Sequence, residues 1–171
     1  RTDKGNHHVK IAIFGGTGDL GRGLAITFAA AGHEIIVGSR SQERADQAAD
    51  GLREAYPEGN FVPMENAAAA AAGDMAVLSI PYEGIEAVLV SVVNALKFGK
   101  SGAMAVLDLP APSCAHQIQD LAPEAKVVVA YNNLPAAALQ ERHRIEGDVL
   151  VCGKSKEARE AVVELTRDIP G

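Results

Sequence analysis

Short apolar runs alternate along the chain with longer stretches in which apolar and polar residues mix at helical spacing. This alternation is typical of a parallel sheet covered by helices on both faces. The runs predict six strands, with DVLVC as a seventh candidate: VKIAIF, HEIIVGS, NFVPM, DMAVLSI, AMAVLD and AKVVVAY. Most of them lack strict alternation, as expected for strands that are buried on both sides. We therefore predict an α/β fold with a doubly wound, mostly parallel sheet of six or seven strands and helices on both faces.

The intervening stretches predict six helices, at residues 18–31, 42–54, 65–72, 83–98, 115–121 and 154–166. Ser41 stands where a helix N-cap is wanted, and Gly32 follows the first helix, where a left-handed residue commonly ends a helix. Gly73 ends a run of alanines, the best helix formers. We interpret that run as a small-residue helix packed close to the sheet.

Composition and charge limit the classes of protein that the chain can belong to. Its 171 residues suit one domain, and 47% hydrophobic with 22% charged residues is a globular composition. A net charge of -6 leaves no broad basic surface, so we expect no nucleic-acid partner. No apolar run approaches the roughly 20 residues that span a bilayer, so we expect no membrane partner.

The polar N-terminus and the cysteines indicate domain limits and compartment. We expect residues 1–8 to be a leader or tag remnant, residues 9–171 to form one domain, and the protein to be cytoplasmic. Cys114 and Cys152 follow no metal-ligand pattern and are typical thiols of a reducing compartment. His33, His116 and His143 show no metal spacing either, so no metal site is predicted.

A glycine-rich turn follows the first predicted strand. Residues 16–21 read GTGDLG, which matches the G-x-G-x-x-G dinucleotide fingerprint between a strand and a helix. In that fingerprint Gly16 permits the tight turn, Gly18 lets a diphosphate approach the backbone, and Gly21 lets helix and strand pack closely. The N-terminus of the helix then holds the phosphates. This predicts a Rossmann-type dinucleotide site; the alternative is a glycine-rich turn that binds nothing.

The end of the second strand indicates which dinucleotide binds. Proteins that bind NAD usually carry an acidic residue there, which holds the ribose 2′-hydroxyl. This chain has VGSR instead, so Arg40 can pair with a ribose 2′-phosphate and Ser39 can donate to it. Arg44 follows one helical turn later on the same side. NADP is therefore favoured over NAD, and the alternative is that both arginines are solvated cations at a helix start.

Five segments occur in the same order as in a known family: IAIFGGTGDLGRGLA, GHEIIVGSR, DMAVLSIPYEGI, AKVVVAYNNLPAAAL and DVLVCGKSKEAR. They resemble the deazaflavin-dependent NADP reductases, which use coenzyme F420. The chain is also similar to the NADPH-binding domain of the membrane ferric reductases called six-transmembrane epithelial antigens. The resemblance covers almost the whole chain, from Val9 to about Ile169.

The resemblance implies where the cofactors bind. Along the pyrophosphate it places Thr17, Gly18, Asp19 and Leu20, and at the 2′-phosphate Ser39, Arg40 and Arg44. Near the adenosine-side ribose and the nicotinamide end it places Ile80, Pro81 and Tyr82. At the nicotinamide and deazaflavin faces it places Asn132, Leu134, Pro135 and Ala136. Both later segments fall at carboxyl ends of predicted strands, where ligands of open α/β sheets bind. The plain alternatives are that both prolines end strands and that Leu134 and Tyr82 belong to the core.

The expected function is hydride transfer between NADP(H) and coenzyme F420, as the resemblance implies. Such a transfer needs two rings held face to face and no catalytic protein residue. The chain has no Y-x-x-x-K motif, which argues against an active short-chain dehydrogenase. One alternative is an NADP-binding sensor or regulatory module without catalysis, and another is an NADPH-dependent flavin or iron reductase.

Two features differ from the resembled family. The loop after Asp108 is short, and relatives continue past RDIPG with a strand and helices that complete the second cofactor site and the dimer. We therefore expect a domain that lacks this C-terminal extension. A homodimer is allowed by the family likeness alone.

Overall fold

The computed structural model of the protein describes residues 8–80, 96–98, 104–106 and 113–171. Four parallel strands form its main sheet in the order β3-β2-β1-β4. They are β1 (Lys10–Phe14), β2 (Glu34–Ser39), β3 (Phe61–Glu65) and β4 (Met75–Leu78). In this register Phe14 lies beside Gly38 on one side and Leu78 on the other, so three strand ends meet at one edge of the sheet.

Helices cover both faces of this sheet. They are α1 (Asp19–Ala30), α2 (Gln42–Ala55), α3 (Asn66–Ala72), α4 (Cys114–Leu121), α5 (Ala136–Gln140) and α6 (Lys156–Thr166). Ile11 and Ile13 of β1 belong to a core cluster with residues of α1, α2, α5 and α6. Ala12 and Phe14 belong to a second cluster with residues of α3 and α4. Since alternate residues of β1 are buried on opposite faces, the prediction of a doubly wound α/β fold is confirmed.

The helix caps follow the sequence signals. The hydroxyl of Ser41 accepts a hydrogen bond from the backbone N–H of Arg44, which caps α2. Gly32 has a φ of 98°, the left-handed conformation expected after α1. Pro63 lies within β3, which is tolerated because β3 is an edge strand of the main sheet.

The later strands differ from the prediction of one continuous sheet. The described residues form four more strands: β5 (Leu96–Phe98), β6 (Met104–Val106), β7 (Val128–Val129) and β8 (Cys152–Gly153). β5 pairs with β6 and β7 pairs with β8, both antiparallel, so four strands make up the described parallel sheet. An apolar run of β-branched residues indicates a strand but does not specify its partner, which non-local contacts decide.

One predicted helix needs correction, and one observed helix was not predicted. The predicted helix at 83–98 ends in a strand, because Leu96–Phe98 forms β5; its residues 83–95 lie outside the described part of the chain. Helix α5 was not predicted, since AAALQ is too short to show helical periodicity and follows a proline. Among the described helices, none is long and apolar enough to cross a membrane.

Candidate functional site

The turn between β1 and α1 depends on Gly15, a residue outside the predicted fingerprint. Gly15 has a φ of 86°, and a Cβ atom built on it would lie 2.1 Å from the backbone oxygen of Ser79. Gly16 has no left-handed φ, and its nearest neighbour to such an atom is Val37 Cγ1 at 3.7 Å. Gly16 lies inside the turn, which the N–H of Gly18 closes on the carbonyl of Gly15, but Gly16 is not the residue that must be a glycine there. The turn needs a glycine one residue earlier, where β4 passes close to it.

The third glycine of the fingerprint has the predicted packing role. A Cβ atom on Gly21 would lie 2.5 Å from the carbonyl oxygen of Gly15 and 3.1 Å from the Cβ atom of Ser79. The absence of a side chain on Gly21 therefore lets the first turn of α1 approach the β1 turn and the end of β4.

The N-terminus of α1 is open to a ligand. Gly18 is its N-cap, in extended conformation, and no side chain caps the helix. The N–H of Gly18 donates to the carbonyl of Gly15 at 3.0 Å, which closes the turn. The first N–H groups of a helix have no partner within the helix, and the helix dipole makes them attractive to anions. Thr17, Gly18 and Asp19 are exposed here.

Leu20 takes part in this turn through its backbone rather than its side chain. It is half-buried and packs against the first core cluster. Asp19 is exposed, and its carboxylate lies in the first turn, where a negative charge stabilises the helix itself. An incoming phosphate would have to be bound by backbone groups beside this charge.

Two guanidinium groups are available at the neighbouring strand end. Ser39 is half-buried at the end of β2, and Arg40 and Arg44 are exposed. Within the described residues, neither arginine side chain forms an ion pair or a hydrogen bond with a protein group. Glu65 lies opposite Ser39 in the register of β2 and β3, so one carboxylate shares this edge with the two cations.

The end of β4 completes the wall of the β1 turn. Ile80 is half-buried, packs against the second core cluster, and its Cγ2 atom lies 2.9 Å from the position of a Cβ atom on Gly15. The other two residues predicted for this segment, Pro81 and Tyr82, lie outside the described residues.

The segment after β7 turns sharply before α5. Tyr131 is buried and has a φ of 66°, and the N–H of Leu134 donates to its carbonyl at 3.1 Å. Asn132 is half-buried, and the exposed Asn133 donates its side-chain N–H to the carbonyl of Asp148 at 2.6 Å. The predicted strand at 125–131 is thus reduced to Val128–Val129, and the left-handed conformation of Tyr131 prevents the strand from continuing through that residue.

The last three predicted residues of this segment have different surroundings. Leu134 packs against the first core cluster, which agrees with its alternative interpretation as a core residue. Pro135 is exposed and is the N-cap of α5, so it begins a helix. Ala136 is half-buried at the start of α5.

Helix α5 brings this segment to the glycine turn. A Cβ atom on Gly23 of α1 would lie 2.6 Å from the Cβ atom of Leu139, so the two helices approach closely. The side-chain amide of Gln140 donates to the carbonyl of Asp19 at 2.9 Å. Sequence reasoning missed Gln140, because its partner lies 121 residues away and no local pattern connects them. The Asn132–Ala136 segment is thereby held close to the first turn of α1.

Burial keeps two ionisable side chains of the described structure protonated at neutral pH. Burial raises the pKa of Tyr131 to about 12, partly offset by a hydrogen bond with Thr166 and reinforced by the charge of Asp168. Burial also raises the pKa of the Cys114 thiol, which keeps it protonated at neutral pH. Within the described part of the chain, no three side chains of His, Cys, Asp or Glu are grouped to hold a metal ion.

The histidines have structural partners. His33 is buried at the α1–β2 turn, where its Nε2 atom lies 3.0 Å from Asp168 and its Nδ1 accepts from the N–H of Val9. Its side chain links three segments of the chain. His116 is exposed beside the hydroxyl of Ser113.

A cavity of about 540 Å³ lies beside β4 and β7. It is bounded by the first residues of β4 and by α6, with Lys126 and Glu157 at its edge. None of the residues predicted to bind a cofactor lines it. Tyr131 lines this cavity, whereas the glycine turn does not.

Comparisons with known proteins agree with the motifs. Residues 10–101 match the sequence model of a family described as "NADP oxidoreductase coenzyme F420-dependent". An F420-dependent NADP reductase of Methanocaldococcus jannaschii is 36% identical over 181 residues, which cover 95% of this chain and 81% of that protein. The protein of the same name from Methanothermobacter thermautotrophicus is 34% identical over 95% of this chain and 78% of its own length.

Solved structures show the same relationship. A protein of Arthrobacter sp. FB24, provisionally named an F420-dependent NADP reductase, superposes with a TM-score of 0.75 at 27% identity, covering 94% of this chain and 80% of its own. Glycerol-3-phosphate dehydrogenase of Coxiella burnetii, at 14% identity and a TM-score of 0.66 over 96% of this chain and 51% of its own, shares the fold alone. With sequence and fold in agreement, this chain belongs to the family of coenzyme F420-dependent NADP oxidoreductases.

Proposed function

We propose that this protein transfers hydride between NADP(H) and the deazaflavin coenzyme F420. The observation that carries the proposal is the likeness, over 95% of the chain, to proteins named F420-dependent NADP reductase. The surroundings of the glycine turn supply the physical support.

The glycine turn suits a diphosphate. The N-terminus of α1 has no side-chain cap, and Thr17 and Gly18 expose their backbone beside it. Gly15 and Gly21 keep the turn tight, and the N–H of Gly18 is used to close it, which leaves the backbone N–H groups of Thr17, Asp19 and Leu20 for a ligand. In the proposed complex these N–H groups donate to the phosphate oxygens.

The second strand end suits the 2′-phosphate of NADP. Arg40 and Arg44 are exposed without a protein partner in the described structure, so neither must break an ion pair to bind an anion. A guanidinium group can give two parallel hydrogen bonds to a phosphate, and the hydroxyl of Ser39 gives another. The carboxylate of Glu65 lies at the same edge and repels anions. Binding of the 2′-phosphate there therefore depends on the two arginine cations.

The nicotinamide side is assigned to two segments, Ile80–Tyr82 and Asn132–Ala136. Their apolar members, Ile80 and Leu134, pack on the core and give a rigid wall, while Asn132 contributes a polar amide. The bound cofactor supplies the hydride, and the protein holds the two rings in contact and excludes water. No protein nucleophile is required, in agreement with the protonated thiol of Cys114.

We further propose that the protein is cytoplasmic and forms a homodimer. Two free cysteines fit a reducing compartment. The homodimer is proposed from the family likeness alone, since a single exposed side chain such as that of Leu150 is normal on a protein surface. Light scattering of the purified protein measures the mass, and a monomer at micromolar concentration would contradict the dimer.

The function is tested by mixing the protein with NADPH and oxidised F420 and following the loss of the visible absorbance of the deazaflavin. Turnover with F420, and slower or no turnover with FMN, supports the proposal. Reduction of FMN without reduction of F420 would reassign the acceptor. Binding of NADP without transfer to either acceptor would favour the sensor alternative.

A further inference from the structure

Helix α5 packs closely against α1 from its first residue to its last turn. Gly23 accommodates Leu139, and the Cβ atom that Gly23 lacks would also lie 3.2 Å from the carbonyl oxygen of Ala136. The hydroxyl of Thr27 donates to the carbonyl of Leu139 at 3.4 Å. Leu139 is fully buried. A helix of only five residues is too short to be stable alone, so these contacts determine where it lies.

One contact of α5 reaches the first turn of α1 itself. The side-chain amide of Gln140 donates to the carbonyl of Asp19 at 2.9 Å. Asp19 directly follows the N-cap Gly18 and belongs to the turn whose N–H groups face the proposed diphosphate. Gln140 is half-buried, and it closes the helix that the Asn132–Ala136 segment enters.

We propose that Gln140 is a positioning residue that ties the nicotinamide-side segment to the diphosphate-binding turn, so that the two halves of the site move as one body. The inference rests on the proposed function, because it gives the two halves the ligand assigned above. It adds a residue that contacts neither cofactor in that assignment and acts through the backbone of Asp19.

The tie matters because the two halves come from distant parts of the chain. The diphosphate turn follows β1, whereas the nicotinamide-side segment follows β7. Hydride transfer is sensitive to the placement of the ring, and a displacement of about 1 Å can cost up to 100-fold in rate. The hydrogen bond from Gln140 to Asp19 fixes the position of the nicotinamide ring relative to the bound phosphates.

The test compares two substitutions of Gln140 with a matched substitution elsewhere. Gln140→Met removes the donor at nearly constant volume, and Gln140→Glu keeps the shape while replacing the donor with an acceptor. Gln119→Met is the matched control: Gln119 also donates to backbone carbonyls, those of Ala122, Pro123 and Ala125, but on α4, away from the glycine turn.

The first measurement is amide hydrogen exchange with and without NADP. In the wild-type protein we expect NADP to protect both the first turn of α1 and residues 134–140. In Gln140→Met and Gln140→Glu we expect protection of α1 alone, whereas Gln119→Met should match the wild type. Protection of both regions in the Gln140 variants would overturn the proposal, as would protection of neither region in the wild type.

The second measurement is turnover with NADPH and F420. We expect kcat of Gln140→Met to fall about tenfold with the KM for NADPH changed less than about threefold, because the phosphates stay anchored while the ring loses its register. An unchanged kcat would contradict the positioning role. A wild-type protein that binds NADP but does not reduce F420 would reject the proposed reaction, and hydrogen exchange alone would then decide the role of Gln140.

Discussion

Replacing Gly15 by alanine is expected to destabilise the protein strongly. Two costs add at this position. A non-glycine residue in the left-handed region costs about 1–2 kcal/mol. The new methyl group would lie 2.1 Å from the carbonyl oxygen of Ser79, so the two must separate by 0.9 Å to reach 3.0 Å, the shortest distance that real Cβ atoms tolerate. Backbone shifts of this kind cost about 1–3 kcal/mol.

The expected loss in the free energy of unfolding is therefore about 2–5 kcal/mol. That is a large fraction of the total for a domain of this size, about 5–15 kcal/mol. Urea unfolding followed by far-UV circular dichroism measures it, since the loss of helix signal reports on the whole domain. The slope of the transition should stay the same if only the native state is affected.

Gly16→Ala is the control for this prediction. Its new methyl group meets nothing closer than 3.7 Å, and the backbone needs no left-handed residue there. We expect its free energy of unfolding to stay within about 1 kcal/mol of the wild type. If Gly15→Ala were as stable as Gly16→Ala, or more stable, the close approach of Ser79 to Gly15 would be refuted.

Arg40→Ala should weaken NADP binding by about tenfold or more, because charge-assisted hydrogen bonds to the 2′-phosphate are lost, and should leave NAD binding nearly unchanged. Calorimetry measures both affinities, with Arg167→Ala as the control. An equal loss of affinity for both dinucleotides would contradict the assignment of Arg40. The free energy of unfolding should fall between pH of about 10 and about 12, because a tyrosine in the unfolded chain ionises near 10 whereas the pKa of Tyr131 in the folded protein is about 12. Urea unfolding of Tyr131→Phe over this pH range should lack the part of the fall that Tyr131 causes. The same pH dependence in Tyr131→Phe and the wild type would contradict the prediction. His33→Gln and Asp168→Asn should show a coupling of about 1 kcal/mol in a double-mutant cycle, and additive effects would refute the hydrogen bond between these two side chains.

Local patterns predicted the elements that depend on local forces. The bounds of α1 and α2 agree with their caps and periodicity to within about a residue, because helix termini are specified by neighbours three or four positions away. The alternation of apolar runs and helices likewise predicted the doubly wound architecture. Arg40 and Arg44 were identified as candidate cations because the type of residue at a strand end is visible in the chain.

Contacts between distant residues decided the rest. Gly15 is the residue of the turn that must be a glycine, because its neighbour is Ser79, 64 positions later, and no local pattern indicates how close β4 passes. The pairing of β7 with β8 and the position of α5 likewise depend on partners far along the chain. Gln140 meets Asp19 only after α5 has packed on Gly23. Backbone preferences depend on residues a few positions apart and can therefore be predicted from the sequence. Side-chain packing brings together residues that are distant in the sequence, and only the tertiary structure shows it.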